Sequence, residues 1–269
     1  MPTATAGYKV DISANSLTID STSKVDVASR GFLGGKQPGN PFGRYGMTLG
    51  FQSGSTGTSG GSYGGLGGAS EGSPNPTYGD LRNPNEVGSG GATSTHPSGL
   101  GGNGGGLVRI SAGTFQLDGS ILANGAGGIY EGAGGSGGGI RLEVGTLRGA
   151  GLIAANGGNG IYGSGGGGGR IAIYYQDLSG FNLSRVTAVG GYGGGGRPGG
   201  QNGSILVERT FAMLPPDSIE TRITKNENDP PGQLGEKMTA RKAAKDAKVT
   251  EGFFALSVRS TSLTTCLAR

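Results

Sequence analysis

The chain of 269 residues has no tryptophan, one cysteine, one histidine, and aromatic residues at only 6% of positions. A lone cysteine, Cys266, excludes an intramolecular disulfide framework and any multi-cysteine zinc site. His96 stands in Ser-Thr-His-Pro-Ser with no second imidazole nearby in sequence, and reads as a solvated loop histidine rather than a ligand or catalytic base. No run of 18 apolar residues occurs, so no membrane-spanning segment is expected. The stretch Met1 to Gly7 shows neither the basic nor the apolar region of an export signal. The formal net charge of +4 comes from Lys and Arg scattered singly, without aromatic residues between them. That is not the footprint of a nucleic-acid-binding chain.

What the chain has in excess is glycine, 63 residues, of which all but Gly232, Gly235 and Gly252 lie before residue 211. Such a composition, poor in large apolar groups, first suggests disorder, because little burial is available to offset ordering entropy. Strict G-X-Y periodicity is absent, and blocks such as Gly165 to Gly169 are irregularly placed, which argues against a collagen helix.

A repeat register stands against disorder. Val108-Arg109-Ile110-Ser111-Ala112-Gly113-Thr114-Phe115 aligns with Ile140-Arg141-Leu142-Glu143-Val144-Gly145-Thr146-Leu147, and the same offset carries Ile121, Ala123 and Asn124 onto Ile153, Ala155 and Asn156. It also carries Ile129-Tyr130 onto Ile161-Tyr162. Two further copies begin at Val10 and Ile171. Five apolar columns result: Val10, Val108, Ile140, Ile171; Ile12, Ile110, Leu142, Ile173; Leu17, Phe115, Leu147, Leu178; Val25, Ile121, Ile153, Val186; and Val27, Ala123, Ala155, Ala188. Apolar residues at period two, with β-branched enrichment and bounding glycines, are a strand signal.

Repeats of this length that cannot bury an apolar face alone point to an all-β protein, a short parallel β-helix or solenoid of about four coils. Asn124 over Asn156 would begin an asparagine ladder. The apolar columns are too small to order the long glycine-rich loops. These must hydrogen-bond to one another as extended, polyglycine-like strands or stay mobile. The expected organisation is a first coil over 1–30, a glycine-rich insertion over 31–106 standing outside the stack, further coils over 107–209, and a C-terminal tail over 210–269. That tail carries one short helix over Glu236 to Val249.

The segment Tyr78-Gly79-Asp80-Leu81-Arg82-Asn83-Pro84-Asn85-Glu86-Val87-Gly88-Ser89-Gly90-Gly91, followed by Gly-Gly-Gly-Leu-Val-Arg-Ile and Gly-Gly-Gly-Arg-Ile-Ala-Ile-Tyr-Tyr, resembles glycine-rich repeat regions of very large exported bacterial proteins. Related segments occur in plant glycine-rich proteins. The resemblance spans roughly residues 8 to 209, implies an extracellular or cell-surface setting, and transfers no catalytic residue.

Parallel β-helices can carry polysaccharide-active enzymes, but Glu143, the best-placed carboxylate, has Ser13, Ser111 and Tyr174 as column neighbours. Glycoside hydrolysis needs two carboxyls ~5 to 10 Å apart, so Glu143 reads as a solvated outward residue. No recurrent Asp of a calcium-binding roll and no Gly-Lys-Ser/Thr phosphate loop is present. Neither a catalytic residue, a metal nor a cofactor is expected. Tyr130 and Tyr162 share one register, with Tyr192 near the equivalent point of the next loop, and could pin loops or stack on sugar rings. The function expected first is a structural module that self-associates as a dimer or filament through its uncapped ends. A glycan- or surface-binding adhesin using the tyrosines comes second, with extracellular polysaccharide as partner, and a polysaccharide-active enzyme third.

Overall fold

The structure, a computed structural model, describes residues 8–178 and 180–210. The chain divides into the units Met1–Ala212 and Met213–Arg269, and the described residues belong to the first. The helix expected over Glu236 to Val249, and Cys266, lie outside the described residues.

The described chain is all-β, with strands β1 (Lys9–Ile19), β2 (Lys24–Asp26), β3 (Met47–Thr48), β4 (Gln52–Ser53), β5 (Leu107–Leu117), β6 (Ser120–Leu122), β7 (Gly139–Arg148), β8 (Leu152–Ala154), β9 (Arg170–Asp177), β10 (Val186–Thr187) and β11 (Ser204–Arg209). One 3-10 turn, Leu183–Arg185, interrupts them. The long strands form a parallel sheet in the order β1-β5-β7-β9-β11, and the short ones a second parallel sheet in the order β10-β8-β6-β2. β3 and β4 pair antiparallel.

The repeat offset is the pairing register. Val108 lies opposite Ile140 and Ile140 opposite Ile171; Ile110, Leu142 and Ile173 follow likewise. Ile12 faces Ile110 and Leu17 faces Phe115 across β1 and β5. In the short sheet Val25, Ile121, Ile153 and Val186 stand in one row. Ile110, Phe115, Leu142, Leu147 and Ile173 are fully buried in one apolar cluster, with Ile12, Leu17 and Leu178 packed against its margin. β11 supplies one strand more than the four copies seen in the repeat; it pairs with β9, Ile205 beside Ile171 and Val207 beside Ile173.

The glycine-rich loops are ordered by their backbones. Along 133–138 the amides of Ala133 and Ser136 donate to Ala92 and Ser89, those of Gly134 and Gly137 to Ser164 and Gly167, and those of Gly135 and Gly138 to Ala126 and Ala123. Every third residue thus addresses the same neighbour, and three neighbours are addressed in turn. Segment 164–169 repeats the scheme: Ser164 and Gly167 donate to Thr58 and Gly61, Gly165 and Gly168 to Pro198 and Gln201, Gly166 and Gly169 to Gly158 and Ala155. A period of three is that of the polyproline-II backbone, which makes no hydrogen bonds within itself and must find them in other chains. Chains bonded on three sides lie too close for side chains. A Cβ added at Gly134 would meet the Gly158 oxygen at 1.9 Å, and one at Gly166 the Gly135 oxygen at 2.1 Å. The buried residues that do carry side chains here are small: Ala92, Ala133, Ser89, Ser136 and Ser164.

This arrangement corrects the expectation for residues 31–106, which are woven into the array and do not stand outside it. Gly31, Phe32 and Gly35 donate to Gly104, Gly88 and Gly91; Gly102 and Gly105 donate to Ala133 and Ser136. The segment also buries its own apolar group, Phe32, Leu33 and Met47, with Phe42 and Val87 against it. The physical reason is that acceptors for 133–138 and 164–169 lie in 58–61 and 89–92, so the repeats alone cannot satisfy their own amides.

Gly134→Ala should therefore lower Tm by about 6–12 °C, an overpacking loss of ~3 kcal/mol at the 2–4 °C per kcal/mol of a domain this size. Gly127→Ala, whose nearest atom would be the Asn159 oxygen at 3.2 Å, should leave Tm within about 2 °C, both read by circular dichroism melting. Joining residue 30 to residue 107 through a short linker should abolish the cooperative melt, because the amides of Ala133, Ser136, Ser164 and Gly167 lose their acceptors at ~1–3 kcal/mol each. A deletion chain that melts like the parent would show that the array closes without 31–106.

Candidate functional site

Three surfaces carry the chemistry-bearing side chains: the outer face of the five-stranded sheet, the tips of the glycine loops, and the two sheet edges.

Strand alternation turns Arg109, Arg141, Glu143, Tyr174 and Glu208 outward, and the segment Tyr78 to Val87 lies across them as a strap. Arg109 donates to the Asn85 Oδ1 at 3.2 Å, Arg141 to the Asn83 Oδ1 at 2.8 Å, and the Tyr174 hydroxyl to the Arg82 carbonyl at 2.6 Å. The Arg170 Nε donates to the Tyr78 carbonyl at 2.8 Å, and Arg82 pairs with Glu208 at 2.5 Å. One strap thus ties β5, β7, β9 and β11 together. Glu143 faces Ser111 and Tyr174 in its row, stays exposed, and pairs with Arg141. Glu208 lies on the far side of Tyr174, two strands from Glu143 or ~10 Å. Each of the two carboxylates is engaged by a guanidinium, so the face acts as a clasp for the strap.

The strap is anchored by a buried hydroxyl network that the sequence reading did not single out. Tyr78 donates to the Val87 carbonyl at 2.6 Å and meets the Ser89 hydroxyl at 3.0 Å; the Thr48 hydroxyl meets that same Ser89 hydroxyl at 2.8 Å, and the Asn75 side-chain amide donates to it at 3.2 Å. Asn75 exchanges two hydrogen bonds with the Ser62 backbone. Tyr63 is fully buried, its hydroxyl on Glu86 at 3.2 Å and its ring under Arg170. Burial pushes both phenols up from the usual tyrosine value, with the Glu86 charge adding to the effect. The signal that could have found this network is the spacing of hydroxyl and amide residues, Ser62, Tyr63, Asn75, Tyr78 and Ser89, among the glycines.

At the loop tips, segments 94–100, 126–132, 158–163 and 191–196 follow one another layer by layer. Leu100 bridges to Ile129, the Tyr162 amide donates to the Tyr130 carbonyl, and the Gly160 amide to the Tyr192 carbonyl. His96 and Tyr130 ring centroids are 4.3 Å apart and those of Tyr130 and Tyr162 5.6 Å. His96 therefore packs in the aromatic row, with its carbonyl on the Lys36 ammonium and its Nδ1 accepting from the Ser98 amide; it is not a freely solvated loop residue. Tyr192 continues the loop series at 78% exposure, its amide held by the Asn159 side chain. The asparagine ladder is present beside it, Asn156 donating to Asn124 Oδ1 at 2.7 Å and Val189 to Asn156 Oδ1 at 2.8 Å.

At the edges, the inward residues of β1 and β2, namely Val10, Ile12, Leu17 and Val25, are half-buried, while their partners one strand inward are almost entirely enclosed. Ile205 on β11 is 44% exposed. Among the described residues no group of three His, Cys, Asp or Glu side chains could hold a metal ion, and no helix is long and apolar enough to cross a membrane.

The raised phenols set a pH dependence. A folded-state value above the unfolded value of ~10 means stability that is intact below about pH 10 and lost as pH rises beyond it. Phenolate absorbance should show two of the nine tyrosines ionising only together with loss of the β-type dichroism. Tyr78→Phe should make the fall in Tm above pH ~10 shallower, and lower Tm at neutral pH by about 2–12 °C, from the ~1–3 kcal/mol of lost hydrogen bonds. Comparison with protein-family models, with curated proteins and with solved structures finds no match to this chain.

Proposed function

We propose that the chain is a non-catalytic scaffold module, a short parallel β-solenoid that stacks end to end with further copies in an extracellular or cell-surface assembly. The observation that carries this reading is the pair of open edges. Among the described residues, β1 and β11 are the outer strands of the five-stranded sheet, with half-covered apolar columns beneath them, and open edges are templates for pairing. Both edges run in the same direction within one sheet, so β11 of one copy can receive β1 of the next in the parallel sense already used four times in the sheet. Ile205 and Val207 then continue the columns of Val10 and Ile12.

Such a contact is heterologous. It does not close on itself by two-fold symmetry and leads to filaments, whereas a dimer would need antiparallel pairing of like edges. The extracellular setting is supported by the resemblance of the Tyr78 to Gly91 segment to exported glycine-rich repeats. Rigidity supplied by backbone hydrogen bonds, with few side chains to modify or cleave, suits a structural role.

Sedimentation over a concentration series and negative-stain microscopy should show linear oligomers of the full chain. A lysine at either edge, Ile12→Lys or Ile205→Lys, should shift the chain to monomer with unchanged dichroism, since charged residues are how natural edges are blocked. A wild-type chain that stays monomeric at every concentration would sink the reading.

A further inference from the structure

The aromatic row at the loop tips is unused by end-to-end stacking, and four features mark it as a binding surface. Its rings His96, Tyr130 and Tyr162 succeed one another at 4.3 and 5.6 Å, close to the ~4.8 Å layer spacing, and Tyr192 stands in the next layer beside them, over Asn159, while Gly195 lies over Tyr162. Exposure rises along it, from half-buried His96 through Tyr130 at 39% and Tyr162 at 51% to Tyr192 at 78%, and Ile129 and Ile161 beside it are both more than half exposed. Tyr130 holds a φ of 54°, the left-handed region that a bulky residue adopts only under constraint from its surroundings. Among the described residues, the phenol oxygens of Tyr130, Tyr162 and Tyr192 have no hydrogen-bond partner, so three donor-acceptor groups face solvent beside apolar rings.

Charge selects the occupant. The charged groups next to the row are engaged, Lys36 by the His96 carbonyl, Glu131 by the Ser94 hydroxyl and Arg197, in the Tyr192 loop, by Ser70 and Glu71. The row therefore offers aromatic faces, phenol hydroxyls and aliphatic flanks without a free charge. Single-stranded nucleic acid also stacks on aromatic platforms, but its phosphates need a basic groove alongside, which is lacking here. An uronic-acid polymer would need cations in the same place. An extended chain of neutral pyranose rings fits. It has apolar ring faces for the tyrosines and hydroxyls for the phenols, and it advances by about one layer per sugar.

We infer that Tyr130, Tyr162 and Tyr192, with Ile129 and Ile161, form a binding strip for a neutral polysaccharide laid along the stacking axis. The strip does not depend on end-to-end stacking, and longer stacks would lengthen it, so that affinity would rise with assembly.

Affinity gel electrophoresis and calorimetry of the full chain with hydroxyethyl cellulose, mixed-linkage β-glucan and polygalacturonate test this. Retention by at least one neutral polymer is expected, weakened about tenfold by Tyr162→Ala and by Tyr192→Ala. Tyr174→Phe, on the outer face of the sheet, should keep full binding, and Tyr162→Phe should keep most of it. The exposed Tyr192 can be replaced without loss of fold, which dichroism melting verifies. Three results would overturn the proposal: retention by polygalacturonate alone, binding unaffected by both alanine substitutions, or no retention by either neutral polymer. A fall in the sedimentation coefficient of Tyr192→Ala would also overturn it, by showing the row to be a contact between copies. Failure of stacking, read in the edge variants, leaves the strip untouched and is thereby distinguished.

Discussion

Backbone amides that have no partner in their own segment constrain everything else in this molecule. A chain with a three-residue period cannot bond to itself as a helix does, nor does it point its donors in one plane as a strand does. Each glycine segment therefore needs neighbours on three sides, and 133–138 and 164–169 find all three. The apolar sheets alone could not impose that order. They supply stacked layers, and the layers bring the glycine segments to a spacing at which each donor meets a carbonyl. Glycine serves here as an absence of volume, because at positions such as Gly134 a neighbouring carbonyl occupies the place of the Cβ.

From that constraint follows the role of residues 31–106. They close the outer sides of the array with 58–61 and 88–92, bury their own small apolar group, and send the strap across the sheet face. The strap explains why Arg109, Arg141 and Tyr174 stand in register on successive strands. Each reaches one step along an extended segment, as Asn85, Asn83 and Arg82 recede across β5, β7 and β9. The Tyr78–Ser89 hydroxyl contact fixes the point where the strap leaves the array. The sheet edges then offer backbone to solvent and the loop tips offer rings.

The strands were legible because an apolar period of two and a constant offset of 32 are properties of the sequence itself, visible in Ile110 over Leu142 and Phe115 over Leu147. The tyrosine row was legible for the same reason, since Tyr130 and Tyr162 share the register. The place of His96 beside Tyr130 was not, because it belongs to 31–106 and follows no repeat spacing. The integration of that segment was likewise hidden. Gly-Gly-Ser-Gly-like blocks at 59–62 and 88–91 have the composition of the blocks before β7 and β9, but composition does not say which segment an amide will address. The buried Tyr63, Asn75 and Tyr78 network joins residues that are scattered along the chain and share no period.

By itself the sequence determined the all-β class, the inward columns and the pairing register, since alternation and repeat length act through contacts between residues at a fixed separation. Tertiary structure alone decided that the glycine loops are ordered, which segments bond to which, and that 31–106 is part of the body. Those outcomes rest on backbone hydrogen bonds between segments, and every residue carries the same amide and carbonyl whatever its side chain. Side-chain pattern therefore could not encode them, and only packing could select the partners.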